Sequence, residues 1–230
     1  CSSRGLGDVY KRQFWNHPYW ASQSPDASVP LSTMHKNLIE KGLIEGIEIV
    51  NDTTFSNEAL QVALDHNLTI LGTSDIHGIV DWQYRIPSGG HRPVTLVFAR
   101  EKTKTSLKRS LQKGQTVVWF KKKLIGKGDF LIPLINSTLE VKSAKYFTNT
   151  TVAHVTISNN SDAPYTLRNH SEYDFYNLTD LVMIPAHGEV NIDVRTIEKL
   201  RKFTLQFEVL NALTAPKTHP VIDIIVRVKQ

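Results

Sequence analysis

Asp75 and His77 stand one residue apart in Ser74-Asp75-Ile76-His77-Gly78, directly after the apolar run Leu68-Thr69-Ile70-Leu71-Gly72. A carboxylate and a neutral imidazole are ligand types that suit Zn²⁺, Mn²⁺ or Fe²⁺. In extended backbone, residues i and i+2 project to the same side. Asp75 and His77 can therefore aim at one point, with Ile76 turned away. Taken alone, the tripeptide has a simpler account: Asp75 caps the segment that follows and His77 is a surface loop residue.

A second histidine shifts that balance. His17, in Asn16-His17-Pro18, ends an earlier strand, and Pro18 stops the strand from continuing. Between the two sites lies Gly46-Ile47-Glu48-Ile49-Val50-Asn51-Asp52. Its strand end carries Glu48, Asn51 and Asp52; Glu48 and Asn51 are expected to position the site or contact a neighbouring strand rather than bind metal. Three strand ends with polar residues over apolar bodies describe the mouth of an α/β sheet or barrel, where ligands sit beyond the carboxyl ends of the strands.

The elements that would carry these residues are readable from periodicity. Leu31, Met34, Leu38 and Ile39 fall at helical spacing in the segment 30–44. Ser56 is an N-cap candidate for a helix burying Leu60, Ala63 and Leu64. A third helix over 103–114 ends at Gly114, a C-cap signal. Strands at 46–51, 68–74, 92–100 and 116–120 alternate with these helices, which predicts parallel βαβ units. After about Phe130 the pattern changes to short alternating runs split by turns such as Asn160-Ser161-Asp162 and His187-Gly188. That pattern predicts an antiparallel, Ig-like β-sandwich, with 196–202 as its one brief helical stretch.

Bulk properties narrow the class further. The chain has 230 residues, 40% hydrophobic content and a formal charge of +5, with a mean hydropathy of −0.24. That allows one large domain or two small ones. No apolar stretch reaches the roughly 20 residues that span a bilayer, so no transmembrane segment is expected. The basic residues are scattered rather than gathered in one stripe, which argues against specific nucleic-acid binding. Cys1 is the only cysteine, which excludes a disulfide within the chain and a thiolate metal site.

The segments Asn-His-Pro (16–18), Gly-Ile-Glu-Ile-Val-Asn (46–51) and Gly-Thr-Ser-Asp-Ile-His-Gly (72–78), in this order and spacing, resemble the PHP (polymerase and histidinol phosphatase) family. Segment 91–127 resembles an exported bacterial phosphodiesterase subgroup of it that carries a C-terminal β-sandwich. The resemblance implies an α/β plus all-β chain: part of a distorted (β/α)7 barrel over 14–130, then an Ig-like sandwich over 131–230. It implies His17, Asp75 and His77 as metal ligands, with Asp75 and His77 also catalytic. Two or three divalent ions (Mn, Zn or Fe) would serve hydrolysis of a small-molecule phosphoester, expected to be a diester, by a metal-bound hydroxide. Arg85 and His91, on the loop that follows, are candidate substrate-binding residues; for Arg85 a solvated loop charge explains the position equally well. Trp15, Trp20, Trp82 and Tyr84 line the mouth or pack the loops. The subgroup implies a periplasmic or secreted location, and the sequence leaves the oligomeric state open.

The departure from the family is its opening His-x-His motif, which occurs nowhere in this chain. Residues 1–13 lead into Phe14 without cap or turn logic and resemble translated sequencing-adapter sequence. They are expected to be a non-native leader, with the missing ligands upstream in the native protein and the 230-residue chain itself inactive. A non-catalytic binding or adhesion protein built on a decayed barrel is the alternative. A barrel hydrolase acting on C–N or C–O bonds is a third, weaker reading.

Overall fold

The computed structural model describes residues 13–20, 26 and 28–228. The leader expected at the N-terminus lies outside the described residues, apart from Gln13. The chain divides into two compact units. The first is Cys1–Lys121 with Ile125–Lys127 and Ala215–Lys217; the second is Lys122–Leu124, Gly128–Thr214 and Thr218–Gln230.

The first unit opens with β1 (Gln13–Trp15), α1 (Thr33–Glu40), β2 (Ile44–Asn51), β3 (Thr54–Phe55), α2 (Asn57–Asp65) and β4 (Thr69–Thr73). β2 is central, with β1 and β4 parallel to it on either side. Its residues 46–50 are all buried, as a parallel strand covered on both faces requires. Gly46 permits this crowding, because a Cβ there would stand 2.5 Å from the Phe14 ring and 2.9 Å from the Thr69 carbonyl oxygen.

The two flanking helices differ in how deeply they pack. Ser56 caps α2 by accepting from the Ala59 amide, and Ala59, Leu60, Val62 and Ala63 form its buried face. α1 is capped by a reciprocal Ser32–His35 box but buries no residue fully. Met34, expected on its inner face, is exposed.

Next come α3 (Val80–Gln83), a 3₁₀ turn (Ile86–Ser88), β5 (Val94–Val97), α4 (Lys104–Gln112), β6 (Thr116–Phe120) and the short β7 (Lys123–Gly126). Here the expected parallel unit is corrected: β5 and β6 are antiparallel, with Val94 opposite Trp119 and Val97 opposite Thr116. The cause is the connection, which doubles back on itself. Gly114 turns with φ +64°, and the Phe98 amide bonds the Gln115 carbonyl, so the chain re-enters at the end it left.

β4 meets this pair through hydroxyls rather than a backbone ladder. Thr95 Oγ1 both accepts from the Gly72 amide and donates to its carbonyl at 2.9 Å, and Thr116 Oγ1 donates to the Ile70 carbonyl. In the first unit β1, β2 and β4 thus form a parallel sheet, with β3 antiparallel on β2, and threonine hydroxyls join β4 to the antiparallel β5 and β6.

The main segment of the second unit begins with α5 (Gly128–Thr138), a helix the sequence reading does not expect, with Pro133 inside it. The helix anchors itself by burying Leu131 and Ile135. Strands β8 (Leu139–Tyr146), β9 (Val152–Asn159), β10 (Tyr165–Asn169), β11 (Leu181–Ile184), β12 (Glu189–Arg195), β13 (Lys202–Val209), β14 (Ala212–Leu213) and β15 (Val221–Arg227) follow. All but β14 form two antiparallel sheets of order β12-β9-β8 and β11-β10-β13-β15.

Strict alternation along β13 and β15 turns Phe203, Leu205, Phe207 and Val209, with Ile222, Ile224 and Val226, into the core. This is the two-sheet sandwich geometry. The helical stretch expected at 196–202 is instead a bent loop over 196–201 that leads into β13 at Lys202. Its polar groups find partners across the sheet: Tyr146 Oη accepts from the Leu200 amide at 2.7 Å, and Thr196 Oγ1 donates to the Thr151 carbonyl.

Candidate metal centre

His17, Asn51 and Asp75 follow or end β1, β2 and β4, so parallel pairing sets their backbones side by side at the carboxyl ends of three strands. Asp75 Oδ1 lies 3.8 Å from His17 Nε2 and 3.5 Å from His77 Nε2. The expected extended backbone at Asp75 is corrected. β4 stops at Thr73, and Asp75 takes a left-handed conformation with φ 46°. His17 does the same at φ 49°. Non-glycine residues enter this region at a steric cost and are enriched at functional sites. Here the kinks bring the three side chains toward one another.

Behind His17 sits Glu48, whose carboxylate is only 3% exposed within an otherwise apolar strand. Oε2 accepts from the His17 backbone amide at 2.9 Å and from Asn51 Nδ2 at 3.2 Å; Oε1 accepts from Thr73 Oγ1 at 2.7 Å. A buried carboxylate needs such donors to offset its lost hydration.

Because Asn51 Nδ2 donates to Glu48, its orientation is set. His17 Nδ1, 2.8 Å from the same nitrogen, is then the acceptor. The neutral ring carries its proton on Nε2, facing Asp75. For Nε2 to act as a ligand, that proton must move to Nδ1. There Glu48 Oε2, 3.4 Å away, is the acceptor, and the Asn51 Nδ2 donor must withdraw from the ring. A carboxylate holding the far nitrogen of a ligating histidine is a recurrent feature of metal sites.

The loop after Asp75 is pinned by Tyr84. Its hydroxyl lies 2.7 Å from Asp52 Oδ1 and 2.6 Å from the Ser74 carbonyl. Burial, followed by the Asp52 carboxylate, pushes the phenol's pKa upward. Tyr19, buried beneath His17, bonds the Thr54 carbonyl, and burial and then Glu48 push its pKa up as well. Glu48's network and the Tyr84–Asp52 bond are the parts of the site that sequence reading leaves without partners. A carboxylate at a buried position of β2 is their one advance signal.

Donors held at about 2.0–2.1 Å from one tetrahedral ion stand about 3.4 Å apart. The Asp75–His77 pair matches that spacing and the Asp75–His17 pair is a few tenths of an ångström longer. The residues fit a divalent cation by donor type and pair spacing. Among the described residues, however, no group of three or more His, Cys, Asp and Glu is arranged to hold a metal ion. His77 is 88% exposed, so the loop presents it to solvent.

The remaining candidates divide. Arg85 is exposed with φ 52°, and its guanidinium makes no hydrogen bond or ion pair among the described residues. His91 packs on Trp119 with ring centroids 3.9 Å apart. Its Nδ1 is buried without a partner among the described residues, so only the other ring nitrogen remains for a ligand. Burial, with Arg92 adding to it, holds the His91 pKa below the usual histidine value. Trp15 stacks on His35, whereas Trp20 and Trp82 are exposed, so packing does not explain those two.

Comparison with known proteins places these two units in context. A protein family described as an Ig-like domain matches residues 139–225. The chain is also similar to the crystal structure of a two-domain protein from Bacteroides vulgatus ATCC 8482, described as containing a predicted PHP-like metal-dependent phosphoesterase. The match has 29% sequence identity and a TM-score of 0.82, and covers 93% of this chain and 61% of that one. This chain therefore spans about three-fifths of that protein's length. No curated protein matches the chain. No helix among the described residues is long and apolar enough to cross a membrane.

Proposed function

We propose that the first unit carries part of a metal-dependent phosphoesterase centre, acting on small phosphodiesters, in which His17, Asp75 and His77 hold a divalent ion. The observation that carries this reading is the shared carboxylate. One Asp75 oxygen stands within 3.8 Å of two imidazole Nε2 atoms, and the buried Glu48 backs one of them. The similarity to a protein described as containing a predicted PHP-like metal-dependent phosphoesterase supports it.

An ion held there supplies Lewis-acid stabilisation of a phosphoryl oxygen and a nucleophile at neutral pH. The chain's own residues would do the rest. Glu48 and Asn51 fix the His17 ring, Asp75 orients the nucleophile and takes its proton, and the free Arg85 guanidinium meets phosphoryl oxygens. The 230-residue chain alone is expected to turn over slowly or not at all, because the described donors do not surround an ion. The subgroup resemblance carries the accompanying proposal of a periplasmic or secreted location.

The test is hydrolysis of bis(p-nitrophenyl) phosphate with and without Mn²⁺, together with elemental analysis, for the chain, for any form of it extended at the N-terminus, and for Asp75→Asn in each. Metal-dependent release of nitrophenol that Asp75→Asn abolishes supports the proposal. Amide turnover with phosphoesters untouched would assign a different hydrolase. The same absence of a three-donor group favours a second reading, a non-catalytic binding module, which would contain no stoichiometric transition metal in any form.

A further inference from the structure

We propose a second ligand site in the first unit, for a phosphate-type oxyanion, at the end of the strands opposite the metal centre. A cavity of about 430 Å³ lies between the segment after β5 and one face of α4. Arg100, Arg109 and Lys113 line it, with Glu101 as the one carboxylate among the lining residues. None of the three cations makes a side-chain hydrogen bond or ion pair among the described residues. Ser106, Arg109, Ser110 and Lys113 recur at helical spacing, so α4 turns one continuous face to the space.

The observation pointing to a ligand is Ser110. It is only 4% exposed, lines the cavity, and its hydroxyl has no partner among the described residues. That hydroxyl lies on the last turn of α4, beside Arg109 and Lys113, where it is free to donate to a bound anion. Two neighbouring hydroxyls are already engaged: Thr103 Oγ1 accepts from the Ser106 amide, and Ser106 Oγ from the Glu101 amide. Guanidinium groups and an unused hydroxyl are the donors that bind phosphate oxygens. The cavity also has room for more than the anion alone, which fits a phosphorylated small molecule.

The location separates this site from the metal centre. Val97 pairs with Thr116 at the start of β6, Thr116 bonds the Ile70 carbonyl, and Thr69 bonds the Leu111 carbonyl. The cavity therefore lies by the first residues of β4 and β6. Asp75 lies past the far end of β4, a strand of five residues and thus about 16 Å long.

Calorimetric titration of the metal-free chain with inorganic phosphate, and in a parallel arm with glycerol phosphate, tests the proposal. One site is expected, weakening as salt is raised. Arg109→Gln and Lys113→Gln should each weaken it at least about tenfold and Ser110→Ala several-fold, with melting in phosphate-free buffer unchanged. Arg109→Lys should recover part of the loss. Tighter binding of glycerol phosphate assigns the site to a phosphorylated small molecule, and equal binding to the free anion. Asp75→Asn should leave binding intact, so this result stands or falls apart from the phosphoesterase proposal. Absence of binding at millimolar phosphate, loss in Asp75→Asn, or indifference to both Arg109→Gln and Lys113→Gln would overturn it.

Discussion

The Glu48 carboxylate lies directly behind the His17 ring: one oxygen accepts the His17 backbone amide at 2.9 Å and stands 3.4 Å from Nδ1. A buried carboxylate thus holds both the backbone and the far ring nitrogen of a candidate ligand. Glu48→Gln keeps the shape but removes the charge that would hold a proton on Nδ1. It should weaken Mn²⁺ or Zn²⁺ binding by about 10–100-fold while the fold persists, as measured by equilibrium dialysis. Glu48→Ala strands three donors in a buried space and should cost roughly 3 kcal/mol in denaturant unfolding. Unchanged metal affinity in the Gln variant would reduce Glu48 to a structural role.

Asp75 and His77 should not be equivalent. Asp75 Oδ1 is common to both pairs, whereas His77 is 88% exposed and joins through Asp75 alone. Metal affinity should therefore fall furthest in Asp75→Asn and less in His77→Ala, with melting temperatures within a few degrees of each other. The reverse order would place the ion on the outer side of the loop, away from His17.

Helix α2 and the sandwich strands β13 and β15 were legible because each shows one clean period. Ser56 announced α2, and β13 and β15 alternate without a break. Asp75 and His77 were legible as a pair, but the backbone that joins them was not. A left-handed turn at an aspartate leaves no periodic trace. Antiparallel β5 and β6 were hidden because a strand–helix–strand pattern does not record whether the connection crosses the sheet or returns. Two of Glu48's three partners come from residues 25 and 31 positions away, a separation that local spacing cannot register. Ile197, inside the expected helical stretch, is fully solvent-exposed, because the stretch 196–202 is fixed by Tyr146 and Thr151 rather than by a helical period.

Tyr84 ties the metal loop to β2, and its behaviour at high pH should show it. Burial and Asp52 raise its pKa above the ordinary 10.0, so the native phenol keeps its proton when the unfolded one has lost it. The stabilisation is complete below about pH 10 and disappears as pH climbs through the native value. Unfolding free energies between pH 9 and 11.5 should fall more steeply for the parent chain than for Tyr84→Phe. At neutral pH that variant should lose about 1–2 kcal/mol with the one hydroxyl proton that Asp52 and the Ser74 carbonyl share. Parallel pH profiles would show that the phenol contributes no proton linkage.

His91 gives the opposite signature in acid. Its pKa is lowered by burial and then by Arg92. The native ring resists protonation that the unfolded ring accepts from about pH 6.5 downward. Stability should be whole above that value and fall as pH drops toward 5. His91→Phe keeps a ring against Trp119 and removes the unpartnered Nδ1. It should flatten the pH 7-to-5 decline in thermal melts and leave the high-pH behaviour of Tyr84 untouched. An unaltered decline would assign the acid sensitivity to other groups.

In the sandwich, His154 on β9 faces Asp193 on β12, with Nδ1 and Oδ1 2.6 Å apart and both side chains largely covered. A carboxylate accepts only, so the ring nitrogen is the donor. Asp193→Ala should cost about 1–3 kcal/mol, the range for a hydrogen bond to a charged group plus a stranded partner. Asp193→Asn retains an acceptor and should cost less. The Asp193 backbone bonds to Asn177 and Tyr176 survive either change, so the strand register should hold and far-UV dichroism should not move. The pair lies in the second unit and shares no partner with the metal loop, so its cost should add to that of Glu48→Ala within about 0.5 kcal/mol in a double variant. A larger coupling energy would mean that the two units do not unfold independently.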